Sequence, residues 1–104
     1  MKEQKNILKN IRLKDSQIKA IKNAVKKFDE KAKIYIFGSR IDLNKKGGDI
    51  DLLVLSKKIT FDMKLKILAI LYKQIGEQKI DLIIAQSKDE SSFVQEILSK
   101  GVEL

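Results

Sequence analysis

Residues 37–54 read FGSRIDLNKKGGDIDLLV, and this stretch decides the fold of the chain. Near its end, Asp49 and Asp51 stand one residue apart at the head of an apolar run that otherwise has the composition of a buried strand. Strands disfavour aspartate, and like charges side by side repel each other. Because side chains alternate between the two faces of a strand, both aspartates point one way while Ile50 and Leu52 point the other way, into a core. The arrangement therefore implies either that the two aspartates are solvated or that they have a positively charged partner.

The composition limits the chemistry that is available. The chain has 104 residues, 43% of them hydrophobic and 35% charged, which predicts one globular domain over residues 1–104. It contains neither cysteine nor histidine, so disulfides, thiolate metal sites and nucleophiles that rely on a histidine base are excluded. Any catalysis would have to use carboxylates.

Charge and hydropathy indicate the kind of partner and the location. The net charge of +8 suits an anionic partner, although a lysine-rich surface explains it equally well. Only Arg12 and Arg40 are arginines, and interleaved aromatic residues are missing, so a dedicated nucleic-acid-binding module is not favoured. The start of the chain lacks the apolar segment of a secretory signal, and no apolar run approaches the roughly 18 residues of a membrane helix. We therefore expect a cytoplasmic protein with no membrane contact.

Apolar spacing predicts three helices and three strands. The helices are expected from Asp15 or Ser16 to about Lys31, from Thr60 to Gly76, and from Ser91 or Ser92 to Gly101. The strands are expected at residues 33–37, 49–55 and 79–85. Helices packed against a small sheet in two layers are the simplest way to bury these faces. A helix joins the second and third strands, so those two strands are expected to be parallel.

A third carboxylate is expected on the face that carries the first two. Asp81 lies in the third predicted strand and points away from its apolar face, so Asp49, Asp51 and Asp81 converge if the two strands are neighbours. Clustered carboxylates raise one another's pKa values, whereas a divalent cation supplies the missing positive charge. Oxygen ligands with open positions suit Mg²⁺, and two such ions can activate a hydroxyl and stabilise a leaving pyrophosphate. The alternative is an amphipathic edge strand with solvated aspartates.

The turn after the first strand has features of a phosphate site. Gly38 lets the backbone approach a phosphate closely, and Ser39 adds a hydroxyl to the backbone N–H groups of the turn. Arg40 offers a planar guanidinium that suits phosphate oxygens. Taken alone, these residues are equally typical of a strand end followed by a helix cap.

The combination is more specific than its parts. Gly38-Ser39, nine intervening residues, the motif Asp49-Ile50-Asp51 and a later Asp81 resemble the nucleotidyltransferase superfamily that includes DNA polymerase beta. The chain is most similar to the minimal nucleotidyltransferases. This resemblance implies an α/β (α+β) nucleotidyltransferase fold, with a small mixed sheet of three to four strands and helices packed against it.

The resemblance also implies roles for the motif residues. Gly38 and Ser39 would hold the triphosphate, with Arg40 beside them as a further nucleotide-binding residue. Asp49 and Asp51 would bind two Mg²⁺ ions, and Asp81 would complete the metal site and help to deprotonate the attacking hydroxyl. The implied reaction transfers a nucleoside monophosphate, AMP from ATP in the expected case, to a hydroxyl and releases pyrophosphate.

Little of the chain remains beyond the predicted catalytic core to present an acceptor. Minimal nucleotidyltransferases are commonly encoded beside a HEPN-domain toxin, and they resemble antitoxins that transfer AMP to a tyrosine of that toxin. The alternative is an inactive fold that neutralises its partner by binding. Transfer to RNA or a small molecule is a weaker hypothesis, because no recognition domain accompanies the core. The apolar residues 93–98 of the last helix are expected in the core, with an interface as the alternative.

Overall fold

The computed structural model describes residues 11–76 and 78–104. The elements in that part of the chain are α1 (Asp15–Lys26), β1 (Lys33–Phe37), a 3₁₀ turn (Gly38–Ile41), β2 (Ile50–Leu55), α2 (Phe61–Ile75), β3 (Ile80–Ala85), α3 (Ser92–Lys100) and β4 (Val102–Glu103). The predicted order of helices and strands is confirmed. The two-residue strand β4 was not predicted, because it is too short to show an alternating pattern. No helix among the described residues has the length and apolarity needed to cross a bilayer.

The four strands form one mixed sheet in the order β3-β2-β1-β4. β2 pairs with β3 in parallel, as predicted, while β1 is antiparallel to both β2 and β4. The register places Asp51 directly opposite Asp81 on one side and opposite Phe37, the last residue of β1, on the other side. The sheet therefore brings one carboxylate pair and the end of β1 to the same place.

The main core lies on one face of the sheet. Helices α1 and α2 contribute Ile21, Ile67 and Leu71, which are fully buried against the even-numbered residues of β1 and β2. Two of the predicted helix caps are present, because Thr60 Oγ1 accepts a hydrogen bond from Met63 N at 3.3 Å and Ser91 Oγ accepts one from Val94 N at 3.1 Å.

Helix α1 is shorter than predicted at its C-terminal end and starts differently. Its first turn is closed by Gln17 Oε1, which accepts a hydrogen bond from Lys14 N at 2.9 Å, and not by the side chain of Asp15 or Ser16. It ends at Lys26 and not near Lys31. Beyond that end, Asp29 accepts a hydrogen bond from Ser56 Oγ at 2.6 Å, which joins this segment to the residue after β2.

Helix α3 covers part of the opposite face, so the two-layer expectation holds only for α1 and α2. Val94 and Ile97 of α3 pack on Leu53 and Ala85, which lie on the same face as the aspartates but further along the strands. The prediction that the apolar residues of α3 lie in the core is confirmed for Val94 and Ile97, whereas Phe93 is 56% exposed. The beginnings of β2 and β3 remain open on this face.

Candidate active site

The centre of the site is the pair formed by Asp51 and Asp81. Their strands are parallel and in register, so both carboxylates lie on the face that α3 leaves open. Asp51 is half-buried and Asp81 is exposed. The pKa of Asp51 is raised, chiefly by burial. The hydrogen bond with Asp81 and the negative charges of Asp81 and Asp49 raise it further, whereas the positive charge of Lys79 lowers it. The pair therefore carries negative charge that the protein itself leaves largely uncompensated.

Asp49 stands just before β2 and has a cationic neighbour of its own. Its Oδ2 lies 3.8 Å from Lys79 Nζ, in an ion pair that is open to solvent. Within residues 11–76 and 78–104, no three His, Cys, Asp or Glu side chains are grouped closely enough to hold a metal ion together. The fold thus unites two of the three predicted carboxylates and keeps the third nearby, where its charge still acts on Asp51.

The donor chemistry of this pair fits a divalent cation. Mg²⁺ is usually held by one or two carboxylates, and water and substrate phosphates complete its coordination. Asp51 and Asp81 supply such a pair, and the pKa of Asp51 is raised first by burial and then by its acidic neighbours, so a cation bound there would offset unfavourable charge.

The Gly38-Ser39 turn packs directly onto the carboxylates. Gly38 has a φ of +73°, and a Cβ added there would overlap Oδ2 of Asp51. Gly48 has a φ of +89°, and a Cβ added there would lie 2.5 Å from Ser39 Oγ. Only glycine allows both the left-handed backbone and these close approaches. The predicted phosphate turn and the predicted metal carboxylate are therefore immediate neighbours.

Arg40 does not point its guanidinium at this site. It is 8% exposed, and its Nη atoms donate hydrogen bonds to Arg12 O at 2.8 Å, Gly48 O at 3.1 Å and Gln78 Oε1 at 2.6 Å. Burial, and then the charge of Arg12, lower its pKa. The geometry assigns Arg40 a bracing role between three segments of the chain, and its nucleotide-binding role stays a prediction that these contacts do not support.

The other arginine holds the phosphate turn, and the interpretation of the sequence missed it. Arg12 donates from Nη2 to Ser39 O at 2.7 Å and from Nε to Asp42 O at 2.9 Å. Arg12 N also donates to Arg40 O at 2.7 Å, so the segment before α1 is fastened to the turn. One signal was available: the chain has only two arginines among its 22 basic residues.

Replacing Arg40 with lysine separates a bracing role from a nucleotide-binding role. Lysine keeps the charge but cannot serve three acceptors in one plane. We expect the free energy of unfolding to fall by roughly 2–3 kcal/mol, since buried acceptors lose charged donors, and this is measured by urea denaturation. The KM for the nucleotide, measured well below the melting temperature, is expected to change little. A raised KM with unchanged stability would instead assign Arg40 to the nucleotide.

A cavity of about 510 Å³ opens beside the carboxylate pair. Its lining includes Asp51, Asp81 and Lys64 together with apolar side chains such as Leu68 and Phe93. Its volume lies within the range of small-molecule sites, which is roughly 300–1,000 Å³. The cavity therefore combines two carboxylates and one ammonium group with apolar surface.

The comparison with known families agrees with this geometry. Residues 19–104 match the family model described as "Polymerase beta, Nucleotidyltransferase". A search of curated proteins finds no significant match. The matched range covers most of the chain and contains the Gly38-Ser39 turn, the Asp49-Ile50-Asp51 motif and Asp81. On this basis, the chain belongs to the polymerase beta family of nucleotidyltransferases.

Proposed function

We propose that the chain transfers AMP from ATP to a hydroxyl group of a partner protein, in a reaction that depends on Mg²⁺. One observation carries this proposal: Gly38, at the start of the phosphate turn, lies against Asp51, which is itself paired with Asp81. A triphosphate held by the turn would therefore have its reacting phosphorus beside the carboxylates. Nucleotidyl transfer requires that arrangement, and the family of the chain supports it.

Each residue of the site has a distinct task in this reaction. The backbone of Gly38 and the hydroxyl of Ser39 hold the phosphates, and the bonds from Arg12 keep the turn in place. Asp51 and Asp81, with Asp49 beside them, would hold the divalent cation, which would supply the positive charge that carboxylates and phosphates lack. The acceptor oxygen bonds to the α-phosphorus, the bond to the β-phosphate breaks, and pyrophosphate leaves. Asp81 takes the proton of the acceptor in this proposal, which its exposure and its place in the cavity lining support.

The surface beside the cavity favours a protein as the acceptor. Phe61 is 69% exposed, Leu65 49% and Phe93 56%, and Leu68 and Phe93 line the cavity next to the carboxylates. We call these four residues the apolar rim. Contiguous exposed apolar side chains typically mark an interaction surface. The partner that we propose is a HEPN-domain toxin, modified on a tyrosine, which makes the chain an antitoxin.

Radioactive labelling tests the transfer. The pure protein is incubated with Mg²⁺ and with lysate of its source cells, using ATP labelled either at the α- or at the γ-phosphate, beside the Asp49→Asn variant. We expect one protein to be labelled from the α-position alone, and not by the variant, and mass spectrometry to locate AMP on a tyrosine. If the variant with both Asp49→Asn and Asp51→Asn neutralises the partner as well as the wild type does, neutralisation occurs by binding and the enzymatic proposal is wrong.

Changing the apolar rim should affect the acceptor but not the nucleotide. The double change Leu65→Ser and Phe93→Ser removes two exposed side chains that make no contribution to the main core. We expect the rate of protein labelling to fall about tenfold or more, because exposed aromatic and apolar anchors dominate docking. Binding of a fluorescent ATP analogue in Mg²⁺ serves as the control and is expected to stay unchanged. A parallel loss of ATP binding would place these residues in the nucleotide site instead.

A further inference from the structure

A second, larger cavity lies at the other end of the sheet. Its volume is about 850 Å³, and it is formed by β1, the end of β2, α3 and the segments that precede β1 and follow β2 and β3. It shares no lining residue with the carboxylate cavity. Leu55, in its wall, is four residues beyond Asp51 along β2, which corresponds to about 13 Å of strand. The two cavities are therefore separate sites.

The lining of this cavity combines a basic rim with an apolar floor. The rim contains five lysines and one carboxylate, a net charge of +4, contributed by Lys31, Lys33, Lys57, Lys58, Lys88 and Asp29. The floor contains Tyr35, Leu55 and Leu98. Half of the net charge of the chain, +8, is thus concentrated around one concave apolar surface. We call this site the lysine cavity.

The backbone that carries the rim is held in place by a buried serine. Ser56 is 6% exposed; its Oγ donates to Asp29 Oδ2 at 2.6 Å and accepts hydrogen bonds from Lys58 N at 3.1 Å and Ile59 N at 3.0 Å. Asp29 Oδ1 accepts a further bond from Lys31 N at 3.1 Å. The one carboxylate of the lysine cavity is therefore engaged in fixing the loops that present the lysines.

This combination selects a particular kind of anion. An apolar floor with a tyrosine suits a flat apolar body, and lysines at its edge suit phosphate groups, which they bind as point charges. A nucleotide has both parts, whereas an acidic peptide offers carboxylates without a flat apolar body. No arginine lines the cavity. We therefore expect the cavity to recognise the charge and shape of its ligand, and not the edge of a particular base.

We propose that the lysine cavity is a second nucleotide-binding site, distinct from the carboxylate site and independent of divalent cations. Its ligand is a nucleotide, either free or as one unit of a single-stranded RNA. This inference goes beyond the proposed transfer reaction and does not depend on it, because none of its residues takes part in that reaction.

Binding measured in EDTA tests the proposal. Without a divalent cation, the uncompensated carboxylates repel a triphosphate, so binding of ATP is expected to report the lysine cavity. ATP is titrated by calorimetry, and a fluorescein-labelled twelve-residue oligo(U) by anisotropy over a range of salt concentrations. We expect the double variant Lys57→Glu and Lys58→Glu to weaken binding at least tenfold, with a shallower salt dependence for the oligonucleotide. Both side chains are exposed, and circular dichroism verifies that the variant folds.

Matched variants separate a site from general charge. Lys19→Glu with Lys66→Glu makes the same change in net charge at exposed positions that line neither cavity, and it is expected to leave binding within about threefold of wild type. Binding of ATP alone identifies a free nucleotide, and binding of the oligonucleotide alone or more tightly identifies RNA. The proposal is overturned if neither ligand binds, if both lysine pairs weaken binding equally, or if poly-glutamate binds more tightly than either ligand.

Discussion

Replacing Asp51 with asparagine is expected to abolish nucleotidyl transfer and, at the same time, to stabilise the ligand-free protein. Asp51 is half-buried next to Asp81, and its pKa is raised by burial first and by its acidic neighbours next. In the ligand-free protein, its charge is therefore unfavourable for folding. In the reaction, the same charge is needed to hold the cation at the transferred phosphate. Loss of that electrostatic stabilisation is expected to reduce kcat by on the order of 10³-fold.

The gain in stability has a defined dependence on pH. Because the folded-state pKa of Asp51 lies above its ordinary value of 3.8, the wild type is stabilised by protonation below that value and loses this stability as the pH rises through the folded-state pKa. Asparagine cannot ionise, so the melting temperatures of the two proteins are expected to agree near pH 3 and to separate in favour of the variant as the pH rises toward 7.

Thermal unfolding with and without Mg²⁺ measures both effects. Added Mg²⁺ is expected to raise the melting temperature of the wild type and to leave that of Asp51→Asn nearly unchanged. Asp89→Asn removes an exposed carboxylate elsewhere and serves as the control. If Asp51→Asn destabilises the protein at pH 7, other groups of the protein already balance the charge of the carboxylate. The site would then not be prepared to bind a cation.

The local features of the site could be predicted from the sequence, and the reason is geometric. Alternation along β2 and β3 determines which face Asp51 and Asp81 occupy, and the parallel register then makes them neighbours. The need for glycine at position 38 follows from the turn itself. These features depend on residues that are close in sequence or linked by the pairing of two strands.

The features that could not be predicted depend on side chains that meet across long separations. Arg40 reaches Gln78, which is 38 residues away, and Arg12 reaches Ser39, which is 27 residues away. No periodic pattern in a sequence indicates which buried acceptors a guanidinium will bind. The position of Arg40 directly after Gly38-Ser39 therefore led to a prediction of nucleotide binding, whereas its hydrogen bonds are to other parts of the protein. The pairing of Asp49 with Lys79 and the Ser56–Asp29 bond are of the same kind. The lysine cavity was likewise hidden, because its residues come from three separate elements and the loops between them.

Adding a single methyl group at Gly38 tests whether the contact between turn and carboxylate is the basis of the activity. Gly38→Ala introduces two changes: a non-glycine residue at a φ of +73°, and a Cβ that overlaps Oδ2 of Asp51. The first costs about 1–2 kcal/mol of stability. The second must displace either the turn or the carboxylate, and a displacement of about 1 Å at reacting groups lowers kcat by on the order of 10²-fold.

Gly47 offers a matched control for the backbone effect alone. It has a φ of +62°, but a Cβ added there meets nothing within 4 Å. Gly47→Ala is therefore expected to lose a similar 1–2 kcal/mol of stability while its kcat stays within a few-fold of wild type. Urea denaturation and initial rates of AMP transfer, measured on both variants, separate strain from overlap. Equal losses of activity in the two variants would mean that backbone strain is sufficient, whereas a selective loss in Gly38→Ala assigns catalysis to the close approach of the phosphate turn to Asp51.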